Sequence, residues 1–114
     1  MLIKPETHKQ WEDALSHFNN VDKLIKSGEL QKAVEEATLA FVFGQQAINK
    51  LSSELNLPDL SVSSLNALSG WFERISPSEG GKHYTPKEHI EWARKILRRL
   101  SEELPPDTLP PFRG

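Results

Sequence analysis

The 114-residue chain contains no cysteine. That excludes a disulfide scaffold, thiolate zinc sites, iron–sulfur clusters and thiol catalysis. It has no apolar run near the ~20 residues needed to cross a bilayer. The opening Met1-Leu2-Ile3-Lys4-Pro5 has only a two-residue apolar patch, so no secretory signal and a cytoplasmic location are expected. No stretch alternates with period two long enough to mark a strand. Neither net sign of charge dominates: fourteen Lys/Arg against sixteen Asp/Glu leave −2, so the whole protein is no polycation. What is present fits one soluble domain, with 37% apolar and 26% charged residues. At this length about two-thirds of the extended-chain surface can be buried, enough for one modest core.

Helical periodicity dominates the chain. From about Glu6 to Ser27, Trp11, Leu15, Phe18 and Ile25 fall on one stripe, flanked by Ala14, Val21 and Leu24. Gly28 follows, where a helix commonly turns left-handed because glycine has no Cβ. From Glu29 to Leu55, the residues Leu30, Val34, Ala37, Phe41, Gly44, Ile48, Leu51 and Leu55 alternate spacings of four and three. Such a seam favours shallow-angle packing. Ala33, Ala40 and Ala47 lie beside it and permit close approach, and apolar character spreads around residues 40–43. The middle of this helix is therefore expected to be enclosed by several partners. Gly44 costs ~1 kcal/mol in a helix interior relative to alanine, so a tight crossing, or otherwise a kink, should explain it.

Asn56 and Pro58 should end the second helix. A third is expected from Ser61 or Ser63 to about Ile75, burying Val62, Leu65, Leu68, Phe72 and Ile75, with Trp71 at the edge. Residues 76–82 read as a loop. Thr85-Pro86-Lys87-Glu88 is a helix start, with threonine as cap, proline at the first turn and Glu88 reaching back. The fourth helix should run to about Leu104, burying Ile90, Ala93, Leu97, Leu100 and Leu104, and stop at Pro105-Pro106. The expected fold is all-α, an antiparallel bundle of four main helices over residues 1–104. Residues 105–114 should form an extended, proline-rich tail, a helix stop followed by an end that either docks or stays disordered. No two of its prolines have the P-x-x-P spacing of a polyproline ligand.

Catalytic and metal constellations are missing. His8, His17, His83 and His89 form neither a Glu-x-x-His pair on facing helices nor His-Glu-x-x-His. His8 and Glu12, one turn apart, read as a surface contact. His83 and His89 flank the fourth helix start, where they read as loop and surface residues more readily than as phosphate ligands. Gly80-Gly81-Lys82 lacks the spacing of a phosphate-binding loop, and no serine sits in a nucleophile elbow. Glu35-Glu36 and Glu102-Glu103 read as solvated. The expectation is a protein that is not an enzyme, takes no cofactor, metal or small-molecule substrate, and meets no membrane.

Charge is unevenly placed. Residues 1–81 carry seven Lys/Arg and eleven Asp/Glu, a net of −4. Residues 82–99 carry Lys82, Lys87, Arg94, Lys95, Arg98 and Arg99 against Glu88 and Glu91, a net of +4. On a helix these cations make a ridge opposite the apolar seam, with Trp92 nearby. Two readings stay open. The ridge is either a solvated face complementing the helix dipole, or a strip that follows an RNA or single-stranded DNA backbone. In the rival class, a protein–protein adaptor, Trp71, Trp92 and the tail meet a partner.

The stretch from His83 through Thr85-Pro86-Lys87-Glu88-His89-Ile90-Glu91-Trp92-Ala93-Arg94-Lys95 to Arg98-Arg99-Leu100 resembles the small all-helical subunit of multi-subunit CRISPR effector complexes. That resemblance implies a non-catalytic subunit of antiviral defence, stacked with other subunits or copies of itself and holding strands through lysines and arginines. Gly28-Glu29-Leu30-Gln31-Lys32-Ala33-Val34 and Gly44-Gln45-Gln46-Ala47-Ile48-Asn49-Lys50 resemble the second-helix region of HEPN-type bundles. Active members use an Arg with a His four to six residues on, a pair this sequence lacks. That second resemblance implies an inactive antitoxin-type or scaffold subunit.

Overall fold

A computed structural model describes residues 3–75 and 85–113, without the side chains of Phe72, Arg74 and Ile75. It contains four helices and, among the described residues, no strand: α1 Pro5–Lys26, α2 Leu30–Glu54, α3 Pro58–Ile75 and α4 Pro86–Glu102. The expectations for Phe72, Ile75, the 76–82 loop, Lys82 and His83 lie outside the described residues.

Local chemistry sets the helix ends. Lys4 precedes α1 without a side-chain cap, and Glu54 from the end of α2 ties this helix start to α2. Its carboxylate accepts the Lys4 backbone N–H at 3.0 Å and the hydroxyl of buried Thr7. Gly28, at φ 80°, closes α1: its N–H reaches the Ile25 carbonyl and that of Glu29 reaches Leu24 at 2.8 Å. Asn56 does the same for α2 at φ 52°, with the Leu57 N–H bonded to the Ser52 carbonyl. The expected capping box at α4 is present, with the Thr85 hydroxyl oxygen accepting from the Glu88 N–H at 3.2 Å.

Helix α2 is the central element, packed against each of the other three, while α1 and α3 do not meet among the described residues. The Cα trace measures 42 × 33 × 19 Å. The thin dimension is two helix layers, since one helix with its side chains is about 10–12 Å across. Ala33, Ala37, Ala40, Phe41, Ala47, Ile48 and Leu51 of α2 are completely buried, as the small-residue rows imply. The ends of the seam, Leu30, Val34 and Leu55, are only half-buried. Gly44 is a tight crossing. A Cβ there would lie 2.5 Å from Leu97 Cδ2 and 3.4 Å from Trp11 Cζ3, so α4 and α1 both press on the same residue.

Two expectations are corrected. Helix α3 begins at Pro58, three residues before Ser61: proline opens this helix rather than only ending the previous one. Its buried phase is Leu60, Ser64 and Trp71, while Val62 and Leu65 are 56% and 51% exposed. A polar pair fixes this phase. The Gln45 amide donates to Ser64 Oγ at 2.9 Å, and the Ser64 hydroxyl donates to the Gln45 carbonyl at 3.2 Å. Trp71, expected at the edge, is in the core, stacked on Phe41 with ring centroids 4.2 Å apart.

The tail is the second correction. It folds back between α4 and α1 after a left-handed Asp107 (φ 61°). Leu109 and Phe112 are buried, and Phe112 meets Phe18 edge-to-face at 5.1 Å. The indole N–H of fully buried Trp11 donates to the Pro110 carbonyl at 2.7 Å, and the Phe112 N–H to Ser101 Oγ at 2.8 Å. Buried tryptophan needs that acceptor, so the tail completes the core rather than trailing from it.

Two outcomes follow for stability. Phe112→Ala should lower the unfolding free energy by about 3 kcal/mol in a urea titration; a loose tail would give a change under about 0.5 kcal/mol. Gly44→Ala should gain up to ~1 kcal/mol of helix propensity but lose more to overpacking, typically ~1–3 kcal/mol. A fall in thermal midpoint is therefore expected, and an unchanged or raised midpoint would contradict the crossing.

Candidate nucleic-acid interface

The apolar residues Ile90, Ala93, Ile96, Leu97 and Leu100 turn α4 onto α2 and leave its outer face to charge. With 100° between successive residues, that face is not a single ridge. Lys87, Arg94 and Arg98 fall on the side toward α1, and Lys95 and Arg99 on the side toward α3. Glu91 and Glu102 fall between them, and Glu88 falls on the side of Lys95 and Arg99. Acids are absent from the two middle turns, where Arg94, Lys95, Arg98 and Arg99 follow one another closely.

Arg94 belongs to the fold. Its side chain is only 18% exposed, pairs with Asp22 of α1 at 3.5 Å and with Glu91 at 3.3 Å, and lies 5.0 Å over the Phe18 ring. Ion pairs with exposed carboxylates are individually weak, but together with the ring contact they hold the guanidinium against the bundle. Lys87, Lys95, Arg98 and Arg99 are exposed. Lys95 Nζ lies 5.8 Å from the centroid of the Trp92 ring. Lys82 lies outside the described residues. Of the two aromatics considered for partner contact, Trp71 is enclosed in the core, whereas Trp92 is half-buried at the α3/α4 seam.

That seam opens into a groove of ≈ 320 Å³. Ala67 and Gly70 of α3 face Trp92, Ile96 and Leu100 of α4 across it, with Arg99 at the rim. At the far end Ser63 donates to the Glu103 carboxylate at 2.9 Å, tying the start of α3 to the end of α4. Periodicity marked the cations of α4 but not this groove, which arises because α3 packs in a phase that apolar spacing did not reveal.

The three described histidines have partners within the fold. His8 pairs with Glu12 at 2.8 Å on the surface, as expected. His17 bonds Glu36 across α1 and α2 and lies 5.4 Å from the Phe43 ring centroid. His89 turns inward, edge-on to Trp71 at 4.8 Å, with Nε2 3.2 Å from Thr38 Oγ1. The Thr38 hydroxyl already donates to the Val34 carbonyl at 2.8 Å, so its oxygen accepts from His89 Nε2–H. That nitrogen is not available to a phosphate. Among the described residues no group of three or more His, Asp or Glu is placed to hold a metal, and no helix is long and apolar enough to cross a membrane. The chain matches no protein-family model, no curated protein and no solved structure.

Burial lowers the His89 pKa below its ordinary 6.5 by disfavouring the imidazolium. With the folded value depressed, the unfolded chain binds more protons in the interval below 6.5, so stability rises with pH there. The contribution of neutral His89 is present above pH 6.5 and is lost as pH falls toward the folded value. Thermal unfolding of the wild type between pH 7.5 and 5 should therefore lose more midpoint than His89→Gln. Equal losses would show that His89 does not titrate differently on folding.

Proposed function

We propose that this protein is a non-catalytic helical subunit of a larger assembly and contacts the backbone of single-stranded nucleic acid through α4. The observation that carries the reading is the exposed trio Lys95, Arg98 and Arg99 on two successive turns free of acids, within a chain of net charge −2. Lys87, on the same side of the helix as Arg98, adds a fourth exposed cation, and from Lys87 to Arg99 the helix rises ~18 Å. Arg94 positions α4 against α1 and is not counted among the contacting cations. So few contacts give weak binding alone, with affinity gained through counterion release and completed by neighbouring subunits. The resemblance to CRISPR small subunits fits this role and would make the assembly an antiviral one.

A protein–protein adaptor is the second reading, favoured by Val62 and Leu65, which α3 leaves outward at 56% and 51% exposure. The tail no longer supports it, since Leu109 and Phe112 are occupied within the molecule.

Comparing the wild type with the triple variant Lys95→Glu, Arg98→Glu, Arg99→Glu separates the two. Anisotropy of a labelled single strand at 50 and 200 mM salt should show the wild type losing affinity with salt. The variant's slope should be shallower by about 2, from ~0.7 for each phosphate contact. Equal affinity and equal slope would reject the cationic interface and leave the adaptor.

A further inference from the structure

Helix α2 is covered on three sides, by α1, α3 and α4. Its fourth side carries a second row spaced alternately by four and three: Glu35, Leu39, Val42, Gln46, Asn49 and Ser53. At about 100° per residue, this row lies opposite Gly44, the residue that α4 and α1 press upon. Leu39 is 41% exposed, and Val42 and Phe43 are only half-buried. On α3, Ala67 and Gly70 turn toward α4 and Ser64 toward α2, which puts the exposed Leu65 on the side away from α4, beside this row. Apolar character around residues 40–43 implied enclosure of α2 from several directions, and one direction is left open.

A row with four-three spacing packs at a shallow angle against a helix of like spacing. Its charges say which helix fits. Glu35 lies at one end and Lys50 at the other, ~22 Å along the axis. The row between them is uncharged, so it offers nothing to a polyanion, and a partner of one charge sign would suit only one end. A second copy of α2, laid antiparallel, suits both. With a two-fold axis midway between Val42 and Phe43, Val42 of one copy faces Phe43 of the other, Leu39 faces Gln46, and Glu35 faces Lys50. A parallel pairing would instead set Glu35 against Glu35 and Lys50 against Lys50. Both charges are exposed. Within its own chain Lys50 donates to the neutral Gln10 at 2.9 Å, and Lys32, one turn before Glu35, pairs with Glu29 at 2.9 Å. The row runs along a broad face of the molecule, whose Cα trace measures 42 × 33 Å in its two longer directions. That is room for the ~800 Å² per partner of a standard interface.

We infer that the outer side of α2 is a homodimer contact, in which two copies pair antiparallel about a two-fold axis at Val42 and Phe43, with Glu35 and Lys50 bridging the copies at both ends. The contact is independent of the cationic reading of α4. In each copy α4 lies on the far side of α2, so the dimer presents its two cationic rows outward on opposite faces.

Sedimentation equilibrium of the full chain from about 1 to about 200 µM should show the mass rising from one chain to two, with a micromolar Kd. Leu39→Glu sets an acid in the apolar middle of both copies and should leave the chain monomeric. Glu35→Lys and Lys50→Glu should each weaken the dimer about tenfold, because the two-fold axis repeats the like-charge contact at both ends. Combining Glu35→Lys with Lys50→Glu restores opposite charges and should return Kd to within about threefold of the wild type. Circular dichroism and the thermal midpoint check that each variant is folded. Positions 35 and 50 are exposed, so the charge-swap set keeps the test decisive should Leu39→Glu alter the fold. The α4 variant Lys95→Glu, Arg98→Glu, Arg99→Glu should dimerise as the wild type does. A wild type that stays monomeric throughout would overturn the homodimer, leave the face to a different protein, and have no bearing on strand binding at α4. A dimer unmoved by Leu39→Glu, or lost in the α4 variant, would overturn the α2 contact. A double charge swap as weak as the single ones would overturn the antiparallel pairing.

Discussion

The absence of a side chain at Gly44 sets how near α1 and α4 come to α2. Leu97 and Trp11 occupy the space that a methyl group would need. Interiors pack at crystal-like density, so any displacement at this crossing is carried along both neighbouring helices. Above and below it the alanines of α2 continue the close contact, and Phe41 and Ile48 fill the space where the helices diverge. The position of α4 over α2 follows from this contact, and with it which residues of α4 point outward. A cationic surface is thus a by-product of apolar fit: Leu97 determines where Lys95 and Arg99 stand.

The two edges of α4 are built differently. Toward α1 the seam is filled. The tail lays Leu109 and Phe112 into it, Trp11 and Ser101 bond the tail backbone, and Arg94 bridges to Asp22 over Phe18. Toward α3, the contacts among the described residues are Ser63–Glu103 at one end, Gly70 against Trp92 further along, and His89 edge-on to Trp71. Helix α3 is anchored mainly to α2, through the Gln45–Ser64 pair and the Phe41–Trp71 stack.

Much of the fold was legible because local rules and packing agreed. Gly28 at a left-handed helix end, Thr85 and Glu88 as a capping box, and the alanine rows of α2 each produced the element their chemistry implies. Reading failed where polarity and burial part company. Ser64 is buried because Gln45 satisfies it, so counting apolar residues put α3 in the wrong phase, exposing Val62 and Leu65 and enclosing Trp71. The prolines marked where α4 stops but left open whether the end docks: Leu109 and Phe112, three apart, carried the docking signal, but their receptor is made by Trp11 and Phe18, far away in sequence. For the candidate site, the cations were visible and their partition was not. Glu91 lies three residues before Arg94 and could be read, whereas Asp22 reaches it only through the tertiary fold.

The asymmetry of the two seams bears on which cations remain for an outside partner. On the filled side the protein supplies its own ring and carboxylates to Arg94, and the desolvation this entails is offset internally. On the other side Lys95 and Arg99 border the half-buried Trp92 ring. Glu103, hydrogen-bonded to Ser63, keeps its negative charge at the end of this edge, while Glu91 is paired with Arg94. Helix α3 is held from both sides, on α2 by the Gln45–Ser64 pair and the Phe41–Trp71 stack and on α4 by Ser63–Glu103 and the Trp71–His89 edge contact. The rings that fill the core therefore also set how near α3 stands to the cations of α4.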